Sequence, residues 1–213
     1  PGIEWEFENS QALTPFLTAE TVNTVLKNYI TDENLIISFM APDKTTVLIP
    51  SEEEILQILA EVKATELTAK EEEDLNRPIV KKVPKAGRIV KSSYDEVLET
   101  TQWELSNGMK VIFKKTDFKN DEILMSAFSE GGLSKIKNTE DLISGYLAAP
   151  VVANNGLGEF SAVEMRKILM SKLASVSTRI TDFYEEFSGV SSVNDFETML
   201  QLVYLFYTAP RKD

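Results

Sequence analysis

The stretch Trp103-Glu104-Leu105-Ser106-Asn107-Gly108-Met109-Lys110-Val111-Ile112-Phe113 decides how the chain is organised. Two β-prone runs flank Asn107-Gly108, a pair suited to the two positive φ values of a type I′ hairpin turn. Downstream, residues 122–128 read as a third strand, ended by Gly131-Gly132. Residues 139–149 predict a helix with Leu142, Ile143, Tyr146 and Leu147 inward, which Pro150 ends or kinks. Ser161 and Glu164 form a capping box that opens a helix to about Leu169. Residues 176–180 and 183–191 read as two more strands. Asn194 or Asp195 then starts a long helix with Phe196, Met199, Leu200, Val203 and Tyr207 on one face. From Thr101 the order is β-β-β-α-α-β-β-α. It predicts an α/β fold of the layered α+β kind, a largely antiparallel sheet begun by the hairpin and covered by helices.

Upstream, the periodicity fades. Pro78, Pro84, Gly87 and Lys81-Lys82 mark residues 71–100 as an extended connector. At about 30 residues it exceeds an ordinary loop within a domain. Ile79, Val80, Val83, Ile89 and Val90 give it side chains with which to dock. Before it, Ser51 and Glu54 form a capping box, and Ile55, Ile58, Leu59 and Val62 give the narrow stripe of a surface helix. Earlier still, Thr18 caps a helix carrying Val22, Val25, Leu26, Tyr29 and Ile30 on one face. Leu35-Ile36-Ile37-Ser38-Phe39-Met40 reads as a buried strand ended by Pro42. These signals divide the chain into 1–50, a helix and an apolar run, 51–100, a surface helix and inter-domain linker, and 101–213, an α/β unit.

Composition narrows the chemistry. The 213 residues carry 22 Lys+Arg and 34 Asp+Glu, a net charge of −12, and 43% are hydrophobic, enough for a core. Residues 1–100 hold 19 acids and 10 bases, residues 101–213 hold 15 and 12, so the first stretch is the more acidic. Runs at 52–54 and 71–74 supply most of the excess and read as solvated faces. This balance argues against nucleic acid as a partner. There are no cysteines and no histidines, which excludes thiolate and imidazole metal ligands and Ser-His-Asp triads in this chain. No apolar run reaches the roughly 18 residues of a membrane span. Pro1-Gly2-Ile3-Glu4-Trp5 has neither the basic start nor the apolar core of a signal peptide. The missing initiator Met suggests a piece of a longer protein, whose uncovered apolar faces and sheet edges would favour self-association.

The candidate groups carry little catalysis. Gly131-Gly132 and Gly156-Leu157-Gly158 lack a Walker lysine and the full dinucleotide fingerprint, so they read as turns. Glu185 and Glu186, beside Asp182, face opposite sides of a strand and cannot flank one substrate. Asp117, Asp121 and Glu122 lack the spacing of a calcium loop. Phe183, Tyr184, Phe187, Tyr204, Phe206 and Tyr207 read as packing. No autonomous enzyme emerges: no catalytic residue and no metal ligand is assigned.

Leu105-Ser106-Asn107-Gly108-Met109-Lys110-Val111-Ile112 resembles the opening hairpin of domains in the insulinase/pitrilysin family of zinc peptidases, the inverzincins. The likeness continues through Ile123 to Phe128, Gly131-Gly132-Leu133-Ser134, a helix, Gly156-Leu157-Gly158-Glu159-Phe160, a second helix, paired strands and a long helix. Residues 17–42 resemble the closing elements of the preceding domain.

The resemblance implies a truncated insulinase-type peptidase domain fold. Such proteins have four similar domains in two halves around a chamber that holds unfolded peptide. Their active domain bears His-x-x-Glu-His on its first helix, with zinc. Here Ser144, Leu147 and Ala148 stand where that motif's His, Glu and His would be, and none can ligate metal. The resemblance therefore implies the non-catalytic half, the tail of the second domain and the start of the third. Zinc is expected in the parent's first domain, with the parent's other domains and its peptide substrate as partners. It also points to residues 182–191 as a peptide-binding strand edge, with Asp182, Tyr184, Glu186 and Ser188 along it. Large bacterial members are often exported, which implies the bacterial envelope or periplasm. The alternative is a scaffold module of the same fold without a peptidase parent.

Overall fold

Backbone amides and carbonyls find partners very differently in the two compact units of the chain, Pro1–Lys70 and Glu71–Asp213. The fold comes from a computed structural model that describes residues 2–31, 33–44, 46–66, 68 and 75–212; the acidic run at 71–74 lies outside them.

In the first unit the described residues pair their backbone through helices and short turns, without a strand ladder. Helix α1 spans Ile3–Leu13, with Glu4 and Glu6 in its first turn suiting the positive helix end. It was not anticipated, because Ile3, Trp5 and Phe7 alternate with glutamates at a strand-like period. Helix α2 spans Ala19–Tyr29, and Thr18 accepts the Thr21 N–H as expected. Helix α3 spans Glu52–Ala64 behind a complete Ser51–Glu54 capping box. No residue of the three helices is buried. The strand expected over residues 35–40 is absent. These residues are irregular, and Ile36 and Met40 are 87% and 95% exposed. A strand needs a neighbour for its ladder, and the described residues of this unit hold no other.

The second unit begins differently from the expected linker. Ile89–Asp95 forms strand β1, antiparallel to β2 (Thr100–Leu105), which pairs in turn with β3 (Lys110–Phe113). Trp103 and Phe113 pack across the β2–β3 pair with ring centroids 4.6 Å apart. The turn is not type I′. Only Gly108 has a positive φ, 84°, while Gly108 N–H donates to the Leu105 carbonyl and Leu105 N–H to Met109. That is the three-residue loop with a glycine bulge, and Asn107 Oδ1 accepts the Met109 N–H instead of adopting a left-handed backbone.

Strand β4 (Ile123–Glu130) does not continue this meander. It pairs with β6 (Tyr184–Ser191), which pairs on its other side with β5 (Ala174–Ile180), so the described residues of the unit form two three-stranded antiparallel sheets, β1-β2-β3 and β4-β6-β5. The expected single sheet begun by the hairpin is thus divided. β3 has only four residues, and residues 114–122 that follow it form no strand.

Helices α4 (Leu142–Asn154), α5 (Ala162–Leu169) and α6 (Phe196–Thr208) complete the unit. α4 and α6 pack on the β4-β6-β5 sheet, α4 against β5 and α6 against β5 and β6. Pro150 does not end α4; it only withholds one N–H, and the helix runs a further turn. The inward faces differ from the expected ones. α4 turns Leu142, Gly145, Ala149 and Val152 inward and leaves Ile143, Tyr146 and Leu147 exposed. α6 buries Thr198, Met199, Leu202 and Leu205, while Leu200 and Tyr207 are exposed. α4 is apolar all round, so hydrophobicity does not choose its face. Size does: a Cβ on Gly145 would collide with Ile136 and lie 3.1 Å from Leu133. The core gathers Val80, Leu157, Phe160, Met165, Leu202 and Leu205. Val80 docks as expected of the connector.

Candidate functional site

Ser144, Leu147 and Ala148 lie on the exposed side of α4, three and four residues apart, so they share one face as a metal-binding triplet would. The chemistry on that face is a hydroxyl, an isobutyl group and a methyl group. Ala148 lines an open pocket of about 190 Å³ with Val152, Phe187, Phe206 and Tyr207, bordered also by Arg179, Glu185 and Glu186. Burial, and then the Glu185 carboxylate, raise the Tyr207 phenol above its ordinary range, so it stays neutral. Among the described residues, no three His, Cys, Asp or Glu side chains stand close enough to hold a metal.

The proposed peptide edge needs correction. β6 is the central strand, and its backbone is committed to β4 on one side and to β5 on the other. A strand with both ladders occupied cannot accept a third. Asp182 is not in a strand; its carbonyl accepts the Ser134 N–H in the β5–β6 turn. Tyr184, Glu186 and Ser188 do share the outer sheet face, each engaged with a neighbour. Tyr184 meets Phe128 edge-on at 5.6 Å, Glu186 binds Arg179 at 2.7 Å, and Ser188 bonds Ser177 at 2.8 Å. The edges of this sheet are β4 and β5. On β5, Ser175, Ser177 and Arg179 face outward, residues the sequence reading passed over. Chain order could have found them, since a β5–β6 hairpin with β4 added beyond β6 leaves β5 outermost.

Gly131-Gly132 does more than turn the chain. Gly131, Leu133 and Ser134 donate their N–H groups to the carbonyls of Phe183, Thr181 and Asp182, fastening this segment to the β5–β6 turn. Asp117, Asp121 and Glu122 do not form a site: Glu122 is taken by Lys119 at 2.9 Å. Among the described residues no helix is long and apolar enough to cross a membrane.

Comparison with known proteins places this arrangement. No family model matches the chain. It is 29% identical over 212 residues to a zinc protease PQQL-like protein of Arabidopsis thaliana, covering 97% of this chain and 19% of that protein. It is 30% identical over 119 residues to a probable zinc protease PqqL of Haemophilus influenzae, covering 56% of this chain and 13% of that protein. The chain thus spans about a fifth or less of these relatives. Among solved structures, the periplasmic protease PqqL of Escherichia coli aligns with a TM-score of 0.58 at 23% identity, over 75% of this chain and 18% of that one. A variant of the ferredoxin protease FusC, in complex with Arabidopsis ferredoxin, aligns with a TM-score of 0.58 at 20% identity, over 79% and 19%. The ordered motifs, the antiparallel sheets under helices and these relatives agree in a likeness of the chain to zinc peptidases of the insulinase/pitrilysin kind.

Proposed function

We propose that the chain is a non-catalytic part of an insulinase-type zinc metalloendopeptidase, joining the tail of the second domain to the start of the third. In this reading it forms part of the wall that encloses peptide. One observation carries it: the chain has no histidine, and α4, the helix that follows β4, offers only Ser144, Leu147 and Ala148 where this reading puts the zinc motif. Zinc belongs to the parent's first domain, and the other domains of the parent are the natural partners of this chain. The fold likeness to a periplasmic protease supports the bacterial envelope as the compartment.

Peptide would meet the β4-β6-β5 sheet. Its outer face presents Leu124, Phe128, Tyr184 and Val190 among serines, and β5 offers an edge for main-chain pairing. A photo-crosslinking residue at Ser188 of the parent protease tests this. Capture of unfolded peptide there, and not from position 143 on the outer side of α4, supports a wall. Capture from neither position, in a parent that hydrolyses peptide, refutes it and leaves the scaffold alternative.

A further inference from the structure

Two Asn-Gly pairs occur in the chain, Asn107-Gly108 and Asn155-Gly156. In such a pair the amide carbon of the asparagine side chain and the following backbone nitrogen can close a five-membered ring. Glycine, with no Cβ, leaves that nitrogen open to approach. The two pairs share the same covalent chemistry, so the fold decides which of them reacts.

Asn107-Gly108 stands at the tip of the β2–β3 loop. Both residues are exposed, and among the described residues nothing lies within 4 Å of where a Gly108 Cβ would be. Asn107 Oδ1 accepts the Met109 N–H at 3.1 Å. Reaching past Gly108 in this way bends the side chain along the Gly108 peptide nitrogen, the approach that ring closure needs. It also sets a backbone donor on the oxygen that gains charge when that nitrogen attacks. One contact opposes the reaction: Gly108 N–H donates to the Leu105 carbonyl at 2.8 Å. That bond closes an exposed loop and must open before the nitrogen loses its proton.

Asn155-Gly156 is held by the core instead. Asn155 caps the end of α4, is half-buried and donates its N–H to the Val152 carbonyl. Gly156 is buried, and its carbonyl accepts the Arg211 N–H at 3.0 Å. The next residue, Leu157, is part of the core, and its N–H donates to the Phe160 carbonyl. Ring closure there has to turn a peptide unit fixed on both sides by packing.

We propose that Asn107-Gly108 is a self-modification site of the folded chain, converting Asn107 through a cyclic succinimide to aspartate and isoaspartate. A solvent base takes the Gly108 N–H proton, and the nitrogen bonds to Asn107 Cγ. The Cγ–Nδ2 bond breaks, and the departing nitrogen, protonated from solvent, leaves as ammonia. Water then opens the ring. Cleavage at Cγ leaves aspartate; cleavage at the main-chain carbonyl carbon leaves isoaspartate, whose main chain runs through Cβ and Cγ. The balance is one water consumed and one ammonia released, with no oxidant or reductant. Either product adds a negative charge to a chain already at −12. Isoaspartate also lengthens the main chain by one atom in the loop that sets the β2–β3 register.

Peptide mapping by mass spectrometry tests this on the whole 213-residue chain, held at mildly alkaline pH and sampled over days. Chromatography separates the aspartate and isoaspartate peptides, and released ammonia is measured alongside. In the folded chain Asn107 converts at least about tenfold faster than Asn155. In urea strong enough to unfold the chain, the two rates come within about twofold of each other. Gly108→Ala slows conversion at Asn107 and leaves Asn155 unchanged. Equal rates at the two sites in the folded chain, or faster conversion at Asn155, would overturn the proposal. So would an Asn107 that stays intact until urea unfolds the chain, since the Gly108–Leu105 hydrogen bond would then be the stronger influence.

Discussion

Gly132 has φ 78° and ψ −173°, a conformation open in practice to glycine alone, and a Cβ there would strike the Thr181 carbonyl. Replacing it with alanine should cost about 1–3 kcal/mol from the backbone, with the collision added. Gly108 has φ 84° but nothing within 4 Å of a Cβ, so Gly108→Ala should cost less. Urea unfolding of the two variants checks the order, and equal costs would mean that Gly132 does not approach the β5–β6 turn. Asp195 is the other residue whose surroundings matter. The Leu173 N–H donates to its carboxylate, Ser192 adds a hydrogen bond and Lys172 a charge 3.3 Å away, all lowering its affinity for protons. A lowered folded-state pKa adds stability that is fully present above the ordinary aspartate range near ~4 and lost as pH falls through the depressed value. Wild type should therefore lose more stability than Asp195→Asn between about pH 5 and about pH 2. Parallel curves for the two proteins would contradict this.

At the scale of elements, α6 gives the sharpest test of which face is buried. Met199 is fully buried and touches the Gly189 site, whereas Leu200 is 44% exposed. Met199→Ala should cost about 2–5 kcal/mol, and Leu200→Ala clearly less. Equal losses in thermal or urea unfolding would mean that the helix is rotated toward the face expected from sequence. The contrast shows what the sequence made legible. Both capping boxes stand as read, because a Ser with a Glu three residues later carries its own partner. The strands β4, β5 and β6 were legible from their apolar, β-branched and aromatic runs. The faces of α4 and α6 were not: apolar residues surround both helices, and the choice falls to tertiary fit, small Gly145 and Ala149 in α4 and buried Met199 in α6. The β6 edge was misplaced for a similar reason. A strand's composition does not say how many neighbours it has, and pairing over the long separation between β4 and β6 is decided by the whole sheet. The absence of an imidazole metal ligand from this chain needed no geometry at all, since it is a matter of composition.

Across the whole molecule, apolar side chains and sheet edges stand open. Leu124 and Phe128 on the outer face of β4 are 71% and 73% exposed, and α4 shows Ile143, Tyr146 and Leu147. Open edges and apolar patches of this kind pair with other chains. Sedimentation velocity of the isolated chain should give a weight-average mass that rises with concentration above 23.9 kDa; one monomeric boundary at every loading would count against it. The central claim concerns chemistry, and one measurement meets it directly: zinc content and peptide hydrolysis determined together on the purified chain after dialysis against micromolar zinc. A chain without histidine, in which the proposed reading finds Ser144, Leu147 and Ala148 at the motif positions, should leave far less than one zinc per chain and no cleavage of an unfolded peptide above background. One tightly held zinc per chain, with hydrolysis that a chelator abolishes, would contradict the account.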